Sequence, residues 1–312
     1  MVSTRTAPAA PSSHSAAELS RGLIAAAIAV TAWGASSVIA KVLPQGALAI
    51  ASYRFAAYFV IIGAWRAMRG QRLSWHALKH SFIGGALLAA DVAFFFTAVK
   101  VTTVVNATII GSLQPLILTA YGVRFLGERV RRNDIVLGLV ALAGVVVIVL
   151  AGSNSGDANI LGDLAAVGAL VSWSAYFVYA KKADGVVSPT DYTLAAALIV
   201  AVINAPLALV FGQSLAWPSL GDWAWLLAMA LGAGLLGHNL MNWSLVRIPL
   251  WLGSTMTLLV PVFSSAIAWL ALDEPLNATQ MAAMFVALVA IGLLVRAQST
   301  RTPAEEAPTT EA

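Results

Sequence analysis

Two ionisable side chains lie where the surrounding sequence offers them no water. Asp91 interrupts the apolar run 81–99, and His238 interrupts the run 223–246. An ionised Asp at the bilayer centre costs about 2.5–3.5 kcal/mol on insertion scales, so such a residue faces a cavity or a partner. Histidine titrates near neutral pH and suits proton transfer. The pair therefore reads either as a site for a substrate amine or a proton, with Asp91 as the counter-charge, or as a hydrogen-bonded link between two helices. Phe95 follows Asp91 by one helical turn and Asn242 follows His238 by one, each on its neighbour's face. Asn242 serves equally as a substrate contact or a helix-to-helix hydrogen bond. Gly232, Gly234 and Gly237, just upstream, permit close helix approach and bending.

A second constellation is aromatic. Trp33, Ser37 and Lys41 recur at i, i+4 and i+8, as do Trp173, Phe177 and Lys181, so each set lies along one helical face. Trp33, Trp173 and Tyr176 either line a cavity for flat or apolar substrates or anchor helices at the interface. Lys41 and Lys181 either guide an anionic group at opposite mouths or snorkel to headgroups. In the run 103–125, Asn106 and Gln114 share a face, and Pro115 removes a backbone donor and frees a carbonyl one turn back. Broken helices expose such groups to substrate in transporters. The candidate substrate-binding set is thus Trp33, Ser37, Asp91, Phe95, Asn106, Gln114, Trp173, Tyr176, His238 and Asn242, with Asp91 or His238 as candidates for proton coupling and uniport equally compatible with the sequence.

No catalytic, cofactor or metal set emerges. There is no P-loop and no Gly-x-Ser-x-Gly elbow. Of the four histidines only His76 and His80 are spaced i, i+4, in a basic loop that would repel zinc. With no cysteine, thiol chemistry and Fe–S clusters are excluded.

The elements that must position these residues follow from composition. Of 312 residues, 60% are hydrophobic and only 10% charged, less than half of what a soluble globular chain carries. Mean hydropathy is +0.84. These figures define an all-α, multi-pass membrane protein. Ten segments approach the roughly 20 apolar residues a crossing helix requires: 22–41, 47–65, 81–99, 103–125, 135–151, 161–180, 192–211, 223–246, 250–272 and 278–295. Continuous apolar runs exclude a β-barrel, whose strands alternate. With both termini cytoplasmic, only Lys41, Arg54 and Lys100 of the 18 Lys and Arg fall on the outer side, the asymmetry that orients membrane proteins. The basic residues form no continuous patch, so nucleic acid is not an expected partner.

The chain also repeats itself. Gln114-Pro115 with Glu128 recurs as Val260-Pro261 with Glu274, at an offset of 146. Trp33 and Lys41 recur as Trp173 and Lys181, and Ala98-Val99-Lys100 recurs as Leu245-Val246-Arg247. Asp91 and His238 share the 147-residue offset of that last pair. The expected organisation is a disordered tail 1–20, a five-helix repeat 21–151, a linker 152–160, a second repeat 161–296 and a disordered tail 297–312. Five spans per repeat force the halves into opposite orientations, the inverted plan of secondary transporters.

These residues carry a resemblance. Trp33-Gly34 with Lys41, Tyr53-Arg54-Phe55, Pro115 with Gly127-Glu128-Arg129, Gly162-Asp163-Leu164, Trp173, Tyr176, Pro261 and Glu274-Pro275 together resemble the EamA-type members of the drug/metabolite transporter superfamily. The resemblance covers about residues 22–296. It implies a ten-helix carrier of two EamA repeats, with relatives that export amino acids and other small metabolites. Asp273 stands where the first repeat has Gly127, and Asp91 is not a signature of that family. Glu128 and Glu274 close spans 4 and 9 and are expected to be structural.

The expected function is export of a small organic metabolite, an amino acid or related amphipathic compound, across a bacterial inner membrane. Efflux of lipophilic cations is the transport alternative, and a membrane-embedded enzyme or sensor subunit the alternative of another class. The expected partners are the substrate and the bilayer, with a monomer or homodimer as the assembly.

Overall fold

The computed structural model describes residues 16–101, 104–152, 159–273 and 275–299. Among the described residues every regular element is helical. The first half comprises α1 (Ala16–Val42), α2 (Ala47–Met68), α3 (Trp75–Val101), the short pair α4 (Val104–Gly111) and α5 (Gln114–Phe125), and α6 (Arg132–Gly152). The second half comprises α7 (Ile160–Lys182), α8 (Pro189–Val210), and α9 (Leu220–Met229), which runs through a π-helical stretch (Ala230–Asn239) into α10 (Leu240–Leu245). It ends with the short pair α11 (Leu250–Met256) and α12 (Leu259–Leu272), then α13 (Ala278–Ser299).

Nine helical stretches among the described residues are long and apolar enough to cross a membrane. The tenth expected span, 103–125, is divided into α4 and α5. Two tail boundaries also move. Helix α1 starts inside the stretch expected to be disordered, because Ala16 and Ala17 favour helix and Glu18 complements the positive end of its first turn. Helix α13 likewise runs to Ser299, into the expected C-terminal tail.

The division of span 4 has a backbone cause that the second half repeats. At Ser112-Leu113 the ladder tightens: the Leu113 N–H donates to the Ile110 carbonyl at 3.1 Å, and the Leu116 N–H to Leu113 at 3.0 Å. At Thr257-Leu258 the Thr257, Leu258 and Val260 N–H groups turn to carbonyls three residues back, at 3.1, 3.1 and 3.0 Å. Each break is followed by a proline, Pro115 or Pro261, which has no N–H and cannot continue the regular ladder. The ends of the two spans match as well. Gly127 (φ 67) and Asp273 (φ 54) both adopt the left-handed conformation. Aspartate is one of the few non-glycine residues that tolerate it, so the difference between the repeats preserves the backbone turn.

The two halves interlock. Helix α2 packs on α8, α3 on α7 and α8, and α1 on the π-helical stretch, α10 and α12. Helix α4 packs on α7, α5 on α11, and α6 on α13. Exchanging the halves maps α2 on α8 and α6 on α13 onto themselves, and α3 on α7 onto the π-helical stretch and α10 on α1. With α4 and α5 together counted as a further span beside the nine, the start of α1 and the end of α13 fall on one face, the terminal face.

Candidate functional site

A cavity of about 1000 Å³ lies between the halves. Its mouth carries Gln45, from the turn after α1, and Gln280, from the first turn of α13. Most lining residues belong to the part of their span nearer the face opposite the termini, while His238, Thr257, Leu258 and Val260 lie past the middle of theirs. The cavity therefore opens towards that opposite face and ends near mid-membrane.

Its floor is aromatic and built from repeat-related residues. Trp33 and Trp173, equivalents in the two halves, meet edge to face with centroids 5.3 Å apart. Side chains that touch their own counterparts must lie near the axis relating the repeats, which puts this contact at the centre of the fold. His238 lies against Trp33 (5.2 Å), Phe55 (5.4 Å), Trp173 (6.1 Å) and Tyr176 (6.2 Å). The π-helical stretch places it there. A β-carbon on Gly237 would stand 2.5 Å from Trp33 Nε1, and one on Gly234 would stand 2.6 Å from the Tyr58 ring. The glycines let the widened helix close on both aromatics, and π-helical turns recur at functional sites for this kind of re-aiming.

The broken helices meet at the same level. The Thr257 hydroxyl donates to Gln114 Oε1 at 3.1 Å, tying the break of one half to the break of the other. Gln114 is buried, and its Nε2 has no partner among the described residues.

The cavity wall carries one charge of each sign. Asp91 projects from α3 and Arg54 from α2, and each lies in the other's electrostatic reach. Arg54 donates from Nη1 to Ser36 Oγ at 3.2 Å, and its Nε is buried without a partner among the described residues. Sequence reasoning placed Arg54 among the outer-face charges. The structure turns it inward, because it stands two turns into α2 on the face that meets the cavity. The available signal was its position inside the apolar stretch rather than before it.

Of the expected substrate-binding set, Trp33, Ser37, Asp91, Phe95, Gln114, Trp173 and His238 line this cavity. Tyr176 and Asn242 do not. Asn242 Nδ2 donates to Tyr176 Oη at 2.8 Å and to Thr193 Oγ1 at 2.9 Å, in a buried cluster joining α10, α7 and α8. Asn242 thus takes the helix-linking role, and Tyr176 supports the floor by stacking on Trp173 at 5.4 Å. Asp91 and His238 form no hydrogen bond to each other among the described residues. They face one cavity from separate elements. The side chains of Asn106 and Lys41, and all of Glu274, lie outside the described residues.

Beneath the floor the terminal face is shut by contacts between the halves. Glu128 accepts from the backbone N–H groups of Leu250 (2.6 Å) and Trp251 (3.2 Å), capping α11. Lys181 donates to the Ile248 carbonyl at 2.6 Å, so it latches a loop instead of guiding anions or reaching headgroups. Ser244 donates to the Gly22 carbonyl at 2.8 Å, and Arg66 pairs with Asp191 at 2.8 Å. At the opposite face, the Leu48 and Ala49 N–H groups donate to Gln213 Oε1 at 2.9 and 3.2 Å. Helices α2 and α8 are therefore joined at both ends, while the space between α1, α3, α4, α7 and α12 is open on one side only.

A closed face, an open face and a polar-and-aromatic chamber between interlocked halves define a multi-pass membrane transporter. The model of the EamA-like transporter family matches residues 20–150 and 160–296, and the chain belongs to that family. It is similar to the aromatic amino acid exporter YddG of Ancylobacter novellus, at 31% identity over 179 residues, or 56% of this chain and 59% of the relative. Two transporters of Bacillus subtilis named as uncharacterized also match. YetK is 23% identical over 64% of this chain and 61% of its own length, and YwfM is 25% identical over 88% and 93%. The chain thus spans about three-fifths of the first two relatives. A solved crystal structure, 20% identical, superposes with a TM-score of 0.76 over 91% of this chain and 99% of that one, which bears on the fold alone.

Proposed function

We propose that this protein is a secondary carrier that exports a small organic metabolite, an amino acid or related amphipathic compound, by alternating access. The observation that carries the reading is the cavity of about 1000 Å³, lined by both halves and sealed beneath by contacts between them. That volume is at the upper end of the roughly 300–1,000 Å³ of small-molecule sites. The paired tryptophans and Phe95 suit a flat or apolar side chain, and the substrate named for the Ancylobacter relative fits that wall. The terminal face is read as cytoplasmic from the distribution of Lys and Arg, in a bacterial-type inner membrane. One chain surrounds the cavity, an arrangement compatible with a monomer or a homodimer. Proton exchange is assigned to Asp91, whose carboxylate faces the cavity, before His238, whose Nδ1 is enclosed without a partner.

Counterflow in proteoliposomes tests this, with a panel of amino acids, sugars and organic cations, with and without an imposed pH gradient. Exchange of radiolabelled aromatic amino acids is expected, and failure of every amino acid in the panel would refute it. Efflux of lipophilic cations is favoured by one observation, Asp91 in a cavity also lined by aromatic rings, and disfavoured by another, Arg54 in the same lining. Cation exchange without amino-acid exchange would select it.

A further inference from the structure

Resting on the amino-acid reading above, we propose that Arg54 and Asp91 form a two-pole site that recognises a zwitterion. The substrate carboxylate sits on the Arg54 guanidinium and its ammonium on the Asp91 carboxylate, with the side chain directed to Trp33 and Trp173.

The two charges leave their own pairing undone. They share a cavity yet form no ion pair, although a charge in a low-dielectric interior is costly unless it is paired and hydrogen-bonded. Among the described residues, Ser36 is the sole hydrogen-bond partner of Arg54, and Asp91 has none. An arginine with five donors in a planar fork is built to take a carboxylate by two of them. The unpaired buried groups on this cavity include three donors, Arg54 Nε, Gln114 Nε2 and Trp33 Nε1, against one acceptor, Gln45 Oε1 at the mouth, with His238 Nδ1 able to serve as either. A wall with surplus donors and one carboxylate asks for a ligand with surplus acceptors and one cation, which describes an α-amino acid head group.

Net charge gives the same answer. A zwitterion neutralises both poles at once and leaves the total charge of the site unchanged. A lone amine pairs Asp91 and brings a second cation towards Arg54. A lone acid pairs Arg54 and brings a second anion towards Asp91. Each single-charge ligand therefore incurs a repulsion that the amino acid avoids, and specificity comes from the mismatch.

Competition against labelled phenylalanine counterflow tests the proposal with four unlabelled probes: phenylalanine, phenylalaninamide, 2-phenylethylamine and 3-phenylpropionate. In the wild-type protein the last three should compete about 10- to 100-fold more weakly, the loss expected for one charge-assisted hydrogen bond. In D91N, phenylalanine should weaken by a similar factor while 3-phenylpropionate holds or gains. In R54Q, phenylalanine should weaken while 2-phenylethylamine holds or gains. Variants are compared only as monodisperse protein by size exclusion, and the wild-type probe series stands even if neither variant folds. Equal competition by all four probes in the wild type overturns the two-pole site while leaving amino-acid export intact, as does a uniform loss in both variants. Absence of any phenylalanine exchange by the wild type overturns the export reading itself.

Discussion

Replacing Glu128 with alanine is expected to open the terminal face. In the structure this carboxylate reaches from the loop after α5 in the first half to the start of α11 in the second, accepting from two backbone N–H groups at 2.6 and 3.2 Å. Both donor residues are enclosed: Leu250 is 0% exposed and Trp251 is 2% exposed. No water replaces the carboxylate while the face stays shut, so its removal strands two donors. A hydrogen bond to a charged group contributes about 1.5–3 kcal/mol. Counting the short bond fully and the long one weakly gives about 3 kcal/mol, or roughly a hundredfold shift towards the state open on the terminal face. The chain contains no cysteine, so single-cysteine reporters need no background removal. Ser254, 0% exposed and one turn into α11, reports opening when changed to Cys, and Ser264→Cys reports the cavity on the opposite side. Maleimide labelling at position 254 from the terminal face should accelerate about 10- to 100-fold in E128A, and labelling at 264 from the other face should slow. E128Q, which keeps one good acceptor oxygen, should fall between. If position 254 labels at the same rate in E128A as in the parent, the carboxylate is not a latch and the reasoning fails.

Three further outcomes follow from the same contacts. Arg66→Ala removes one partner of an ion pair in which Arg66 is 10% and Asp191 23% exposed at the side chain. It should lower stability by about 2–3 kcal/mol, less than a fully buried pair, read as a lower melting temperature in detergent; the Arg66→Asp/Asp191→Arg double variant should recover part of it. Gly237→Ala puts a methyl group 2.5 Å from Trp33 Nε1, so the indole must move off the floor. Transport should fall at least about tenfold with the protein still monodisperse, and unaltered flux would contradict the placement of that floor. Trp173→Ala removes the ring that stacks on Tyr176 and meets Trp33, and should raise KM for phenylalanine more than for alanine, with about 2 kcal/mol lost for the aromatic substrate.

The sequence alone determined the class, most of the spans and the internal repeat, because these depend on quantities that are local and additive. Hydrocarbon thickness sets a length, desolvation sets an allowed composition, and a constant offset between Pro115 and Pro261 needs no coordinates to be seen. Several cavity residues were legible for the same reason: a charge or a kink inside an apolar helix has few explanations. What needed the tertiary structure was direction. Arg54 and Tyr53 are neighbours in sequence, but only packing of α2 against α8 and the π-helical stretch turns the arginine into the cavity. Asn242 and Gln114 are both polar residues within spans, yet the first is consumed by Tyr176 and Thr193 while the second retains a free donor at the floor. Lys181 looked like a mouth charge until the loop at Ile248 was seen to lie across it. A helical face is fixed by the sequence, but which neighbour that face meets is fixed by how the other helices fold around it, and binding depends on the neighbour.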